Sequence, residues 1–87
     1  MNVEVIWKRI KENEGEIFQQ IRGGEFSYKI NGKCLYLSRT NHSISKATLG
    51  EALKKVPLAN TVPLQNLHAP SYLYAILMDK RIRKKDW

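Results

Sequence analysis

Arg39-Thr40-Asn41-His42-Ser43 puts a guanidinium, two hydroxyls, an amide and an imidazole side by side. Ser45, just beyond, has the chemistry of a helix N-cap, with Lys46 as the first helical residue. A helix start offers free backbone N–H groups and the positive end of the helix dipole. A loop of this composition feeding into such a start suits a phosphate or carboxylate. The plainer expectation is that Thr40, Asn41 and Ser43 satisfy loop and cap backbone groups, as these residue types do generally. Lys46, Gly50 and Lys54 then fall at i, i+4, i+8, an outward row with Lys55 beside it that has the spacing to track a nucleic-acid backbone. A solvated helix face is the usual fate of such a row.

Two further groupings have chemical potential. Lys80-Arg81-Ile82-Arg83-Lys84-Lys85 has the composition of a basic arm for nucleic acid or an anionic surface, or of a solubilising terminus. Tyr36 and Lys29 fall on the same face of an expected hairpin as diagonal neighbours. An aromatic beside a cation on an open sheet can stack a base. The ordinary expectation for Tyr36 is cover by a helix or loop.

Other chemistry finds no support. His42, His68 and Cys34 are the soft metal ligands, and no two stand at a chelating spacing, so neither metal nor cofactor is expected. Cys34 has no neighbouring base and reads as a structural cysteine. Glu12, Glu14 and Glu16 are not paired with an acid–base partner. Gly23-Gly24 is a turn, not a phosphate-binding loop. No enzymatic activity is expected.

The charge is lopsided. From Ser27 to Trp87 eleven basic residues face three acids, whereas from Met1 to Phe26 four face five; the whole carries +7 over 87 residues. A one-sided positive surface seeks a polyanion. The expectation is a small nucleic-acid-binding module, DNA or RNA, acting on phosphates. The alternative is an adaptor that docks an acidic protein partner. One cysteine implies no disulfide, and neither a signal-type leader nor a membrane-length apolar run is seen, so a cytoplasmic setting is expected.

The positioning elements follow from periodicity. Asn2 caps a helix whose Val3, Ile6, Trp7 and Ile10 share a face, ending before Gly15. Residues 16–21 favour a short strand over a helix, because glycines flank them. Phe26, Tyr28 and Ile30 alternate, then Asn31-Gly32, then Leu35 and Leu37. Asn-Gly predicts a hairpin with both turn residues at positive φ and with Tyr28 opposite Leu35 and Phe26 opposite Leu37. Ser38 to Ser43 reads as a loop, with Ile44 and Leu49 as a hydrophobic staple around the Ser45 cap. Leu49, Ala52, Leu53 and Val56 line a second helix stopped by Pro57. Leu58 to His68 reads as a connection with an edge strand near 61–64. Pro70 opens a third helix reaching Lys80 or Ile82.

The fold expected is α+β: an N-terminal helix, a small antiparallel sheet of two or three strands built on the Asn31-Gly32 hairpin, and two C-terminal helices packed on one sheet face. Residues 1–82 form the domain and 83–87 a basic tail. Trp7, Ile10, Phe26, Tyr28, Leu35, Leu37, Leu53, Ile76 and Leu77 form the expected core.

Overall fold

The computed structural model describes residues 2–87. The fold is α+β: helices with two small antiparallel sheets. Helix α1 (Val3–Glu12) begins at Asn2, whose side chain accepts a hydrogen bond from the amide of Glu4 at 2.7 Å. Its apolar stripe buries Ile6, Trp7 and Ile10. Gly15, at φ +86°, then turns the chain.

Strand β1 (Phe18–Gln19) pairs antiparallel with β2 (Glu25–Phe26), so the glycine-flanked segment is a strand. Strands β3 (Tyr28–Asn31), β4 (Cys34–Leu37) and β5 (Ser43–Ser45) form the second sheet in that order. Phe26 therefore pairs with Phe18 rather than with Leu37. Ser27 marks the break; its amide bonds the Ser38 hydroxyl and its carbonyl accepts from the Ser38 amide.

The hairpin register differs from the Asn31-Gly32 expectation. Tyr28 faces Leu37, Ile30 faces Leu35 and Asn31 faces Cys34, so the two turn residues are Gly32 and Lys33. Only Gly32 has positive φ, at +63°. A two-residue loop with glycine first needs one left-handed residue, and it keeps Asn31 in the ladder. The shift moves pairing by two residues in total, so face membership survives. Tyr28, Leu35 and Leu37 are buried and Ile30 packs against the same core.

The expected Ser38–Ser43 loop is shorter than the sequence implied. Ser43–Ser45 is a third strand, with Tyr36 facing Ser43, Leu35 facing Ile44 and Cys34 facing Ser45. Ile44 is buried beneath it. Polar Ser43 and Ser45 hide the strand in the sequence because they occupy its open face.

Ser45 caps α2 (Lys46–Leu53), its hydroxyl oxygen accepting from the Thr48 amide at 3.1 Å. Leu49, Ala52 and Leu53 face inward, but the helix ends at Leu53, short of Val56. Lys54 and Lys55 therefore belong to its exit. The edge strand expected near 61–64 is instead a 3-10 turn, Val62–Leu64. Pro63 has no N–H to give a ladder, and Leu64 drops into the core.

Helix α3 (Pro70–Leu77) starts at its proline and stops earlier than expected. Asp79 breaks the run and caps a separate short helix, α4 (Lys80–Arg83), accepting from the Arg81 amide at 2.8 Å. Ile82 is fully buried. The last residues fold back onto the domain. The Trp87 indole N–H donates to the Leu77 carbonyl at 2.9 Å, and Arg9 of α1 reaches both the Ile82 carbonyl at 2.9 Å and Asp86 at 2.6 Å.

All nine expected core residues are buried in one cluster, with Phe18, Ile44, Leu49, Leu58, Leu64, Leu73 and Ile82 among those added. Phe18, Phe26, Tyr28 and Tyr72 form its aromatic corner, with neighbouring ring centroids 4.9–5.9 Å apart. The Tyr28 hydroxyl donates to the Ile10 carbonyl at 2.6 Å. Burial pushes that phenol well above its ordinary pKa.

Candidate nucleic-acid interface

The loop of Arg39, Thr40, Asn41 and His42 does not lead straight into a helix. Strand β5 intervenes, carrying the chain roughly 10 Å from His42 to the start of α2. The pairing places the two ends apart: the Leu37 amide meets the His42 carbonyl at 3.4 Å, while the Lys46 amide meets the Lys33 carbonyl at the other end of β4 at 2.8 Å. The structure therefore does not bring Arg39 and Lys46 into one anion-binding cradle.

Each group of that motif has local work. The Arg39 guanidinium donates to the Glu25 carbonyl at 3.3 Å and lies over Gly24, where a Cβ would stand 2.9 Å from its Nη1. Thr40 accepts from the His42 amide at 3.3 Å. The His42 ring stands edge-on to His68, centroids 4.6 Å apart. Asn41 is exposed. At the start of α2, the Thr48 amide is taken by Ser45 and the Lys46 amide by Lys33.

The lysine row is also rearranged. Gly50 lies against Val3 of α1, and the Lys46 ammonium pairs with Glu4 at 2.5 Å. This side of α2 faces α1 rather than solvent. Hydrogen bonding to Lys46, followed by the charge of Lys46 itself, holds the Glu4 carboxyl below its usual value. Lys54 forms a solvent-exposed pair with Glu51 at 3.2 Å. Lys55 is exposed.

The basic C-terminal run divides by role. Arg81 is structural. It clasps Asp79 with both Nε and Nη2 at 2.9 Å, donates to the Ile17 carbonyl at 2.8 Å, and lies 4.1 Å from the centre of the Phe18 ring. Burial pushes the Asp79 carboxyl up, but hydrogen bonds from the Arg81 side chain and backbone outweigh it and hold it below the usual range. Arg83 bonds the Trp87 carbonyl. Lys80, Lys84 and Lys85 are exposed.

What the structure does assemble is the outer face of the three-stranded sheet. Its middle strand presents Tyr36, 48% exposed, where cover by a helix or loop was expected. Lys29 stands directly opposite on β3, not diagonally, and Ser43 directly opposite on β5. Asn31, Cys34 and Ser45 form the next row. Among the described residues no helix crosses this face, whose side chains are polar apart from Tyr36 and Cys34. The hydrophobic face of the same strands already takes the helices. Lys29 and Lys33 form no ion pair among the described residues. The signal for this site was the alternation within residues 28–31 and again within 34–37, with a lone tyrosine on the polar side.

Among the described residues no three metal-ligating side chains cluster, and no helix is long and apolar enough to cross a membrane. Comparison with protein-family models, with curated proteins and with solved structures finds no match.

Proposed function

We propose that this chain is a small binding module for single-stranded nucleic acid, with no catalytic role. The observation that carries the reading is Tyr36, half exposed in the middle strand with Lys29 across the ladder. An aromatic plane on an open sheet offers a stacking platform for a base of any sequence, worth about 1–3 kcal/mol per base. Lys29 and Lys33 supply phosphate contacts beside it, and Asn31 and Ser43 supply hydrogen-bonding groups. The excess of positive charge over the whole chain favours capture of a polyanion. A free, half-buried Cys34 suits a cytoplasmic setting.

The test is fluorescence anisotropy of a labelled twelve-nucleotide oligothymidylate, titrated at several salt concentrations. Tyr36→Ala should weaken binding roughly 5- to 150-fold, and Tyr36→Phe far less, because stacking needs the ring and not the hydroxyl. Neutralising Lys29 and Lys33 together should flatten the salt slope by about 1.4, at about 0.7 per single-strand phosphate. Equal binding by Tyr36→Ala and the native chain refutes the reading. Absence of nucleic-acid affinity, together with capture of a discrete acidic protein, replaces it with the adaptor reading.

A further inference from the structure

The outer edge of β1 is a strand edge that no strand covers among the described residues. The Gln20 amide bonds the Gly24 carbonyl at 2.8 Å, which fixes the phase of the β1–β2 ladder. Phe18 and Gln20 direct their backbone groups toward β2, so the N–H and C=O of Gln19 point the other way. They open onto a groove of about 750 Å³ between β1 and the end of α3, walled by Ile17, Ile21, Tyr74 and Met78. Ile17 and Ile21 are 54% and 60% exposed, large values for isoleucines that flank a strand.

The groove does not end at its apolar wall. Lys80 and Arg83 line it and also line an adjoining hollow of about 650 Å³ completed by Lys84, Lys85 and Trp87. A slot of mixed polar and apolar lining, which also holds the Asp79–Arg81 pair, thus runs into a bowl ringed by four cations. Natural proteins usually protect such an edge; here the strand is only two residues long and Arg81 holds the Ile17 carbonyl, which leaves the Gln19 groups as the open part. Charge selects the occupant. A second copy would set the same cations against each other around a chain of net +7. An extended acidic segment would relieve that repulsion.

We infer that this edge is a docking site for an extended acidic peptide of a protein partner, which adds to β1 as a third strand. Backbone pairing to Gln19 gives the attachment, alternate apolar side chains of the peptide lie against Ile17, Ile21 and Met78, and its acidic end enters the bowl beside Trp87. The surface uses neither Tyr36 nor Lys29, so it stands or falls separately from the nucleic-acid reading.

The probe is an acetylated heptapeptide of alternating valine and glutamate that ends in two glutamates, titrated into isotope-labelled full-length protein by NMR. Saturable shifts should run continuously over residues 17–21 and 78–85, and exchange of the Gln19 amide should slow at saturation. Gln19→Pro removes the outward donor while leaving the Gln20 bond in place, and should abolish the saturable shifts. Lys80→Glu, at an exposed position, should weaken the peptide roughly tenfold or more and serves if the proline variant fails to fold. Four results overturn the inference: shifts scattered over every lysine, equal binding of a valine–lysine peptide, tighter occupation of the same residues by oligothymidylate, or a concentration-dependent dimer that produces the same shifts without peptide.

Discussion

Arg81→Ala separates a structural cation from a binding one. The native side chain makes three kinds of contact, and their worth can be set out one by one. The two bonds to Asp79 join partners whose side chains are 38% and 20% exposed, so solvent screens them to about 0.5–1 kcal/mol. The bond to the Ile17 carbonyl adds about 1 kcal/mol. The guanidinium over Phe18 adds about 0.5–1 kcal/mol. The contacts share one side chain and are not fully additive, so the loss should be about 2 kcal/mol, the low end of their sum. A chain of this size has about 4–13 kcal/mol in all. At about 4–8 °C per kcal/mol, the midpoint should fall by about 8–16 °C in a thermal melt followed by circular dichroism. Lys84→Ala, three positions beyond Arg81 and exposed, should change stability by less than about 0.5 kcal/mol. If Arg81→Ala melts within that margin too, the clasp contributes nothing and Arg81 is free for a ligand after all.

Acid should expose the same clasp. The folded Asp79 carboxyl holds its proton less tightly than the unfolded one, so its stabilisation is complete above the unfolded value of about 3.9 and is lost as pH falls through the lower folded value. Asp79→Asn should lose less stability than the native chain between about pH 5 and 2 in urea melts, and equal slopes would remove Asp79 from the explanation. Gly32→Val should cost about 1–3 kcal/mol by chemical denaturation, through its positive φ alone, because no atom lies within 4 Å of the added Cβ; Asn31→Thr, within the ladder, should cost little. Leu53→Ala should cost about 2–4 kcal/mol, and a loss under about 0.5 kcal/mol would show that α2 does not seal the core.

The sequence disclosed elements with strong periodicity and concealed those whose identity depends on distant partners. Ile6, Trp7 and Ile10 mark α1 by spacing alone, and Asn2, Ser45 and Pro70 fix three helix starts by local chemistry. Phe26 was legible as a core strand residue but not by its partner, and Ile44 only as a staple before the Ser45 cap, not as a strand residue. Phe26 looks like a continuation of Tyr28 and Ile30 until Phe18 claims it, and Ile44 sits between two serines that mimic a loop. The break at Asp79 was hidden because a capping aspartate and a helix-surface aspartate are the same residue. The functional surface was harder still. Positive charge is visible residue by residue, but neutralisation is not: Glu4 lies 42 positions from Lys46, and Asp86 lies far from Arg9. Tyr36 was assigned the correct face, and only the packing of the helices elsewhere tells that the face stays open.

The grip of Arg9 on Ile82 has a consequence for the nascent chain. The two residues are 73 positions apart. At about 5–20 residues per second, a ribosome needs about 4–15 s to make the second after the first. During that interval the apolar stripe of Ile6, Trp7 and Ile10 has no α4 against it, and α1 waits for a helix made well after it. Its early companions are charged residues on its own surface, which keep the emerging segment dispersed while its cover is synthesised.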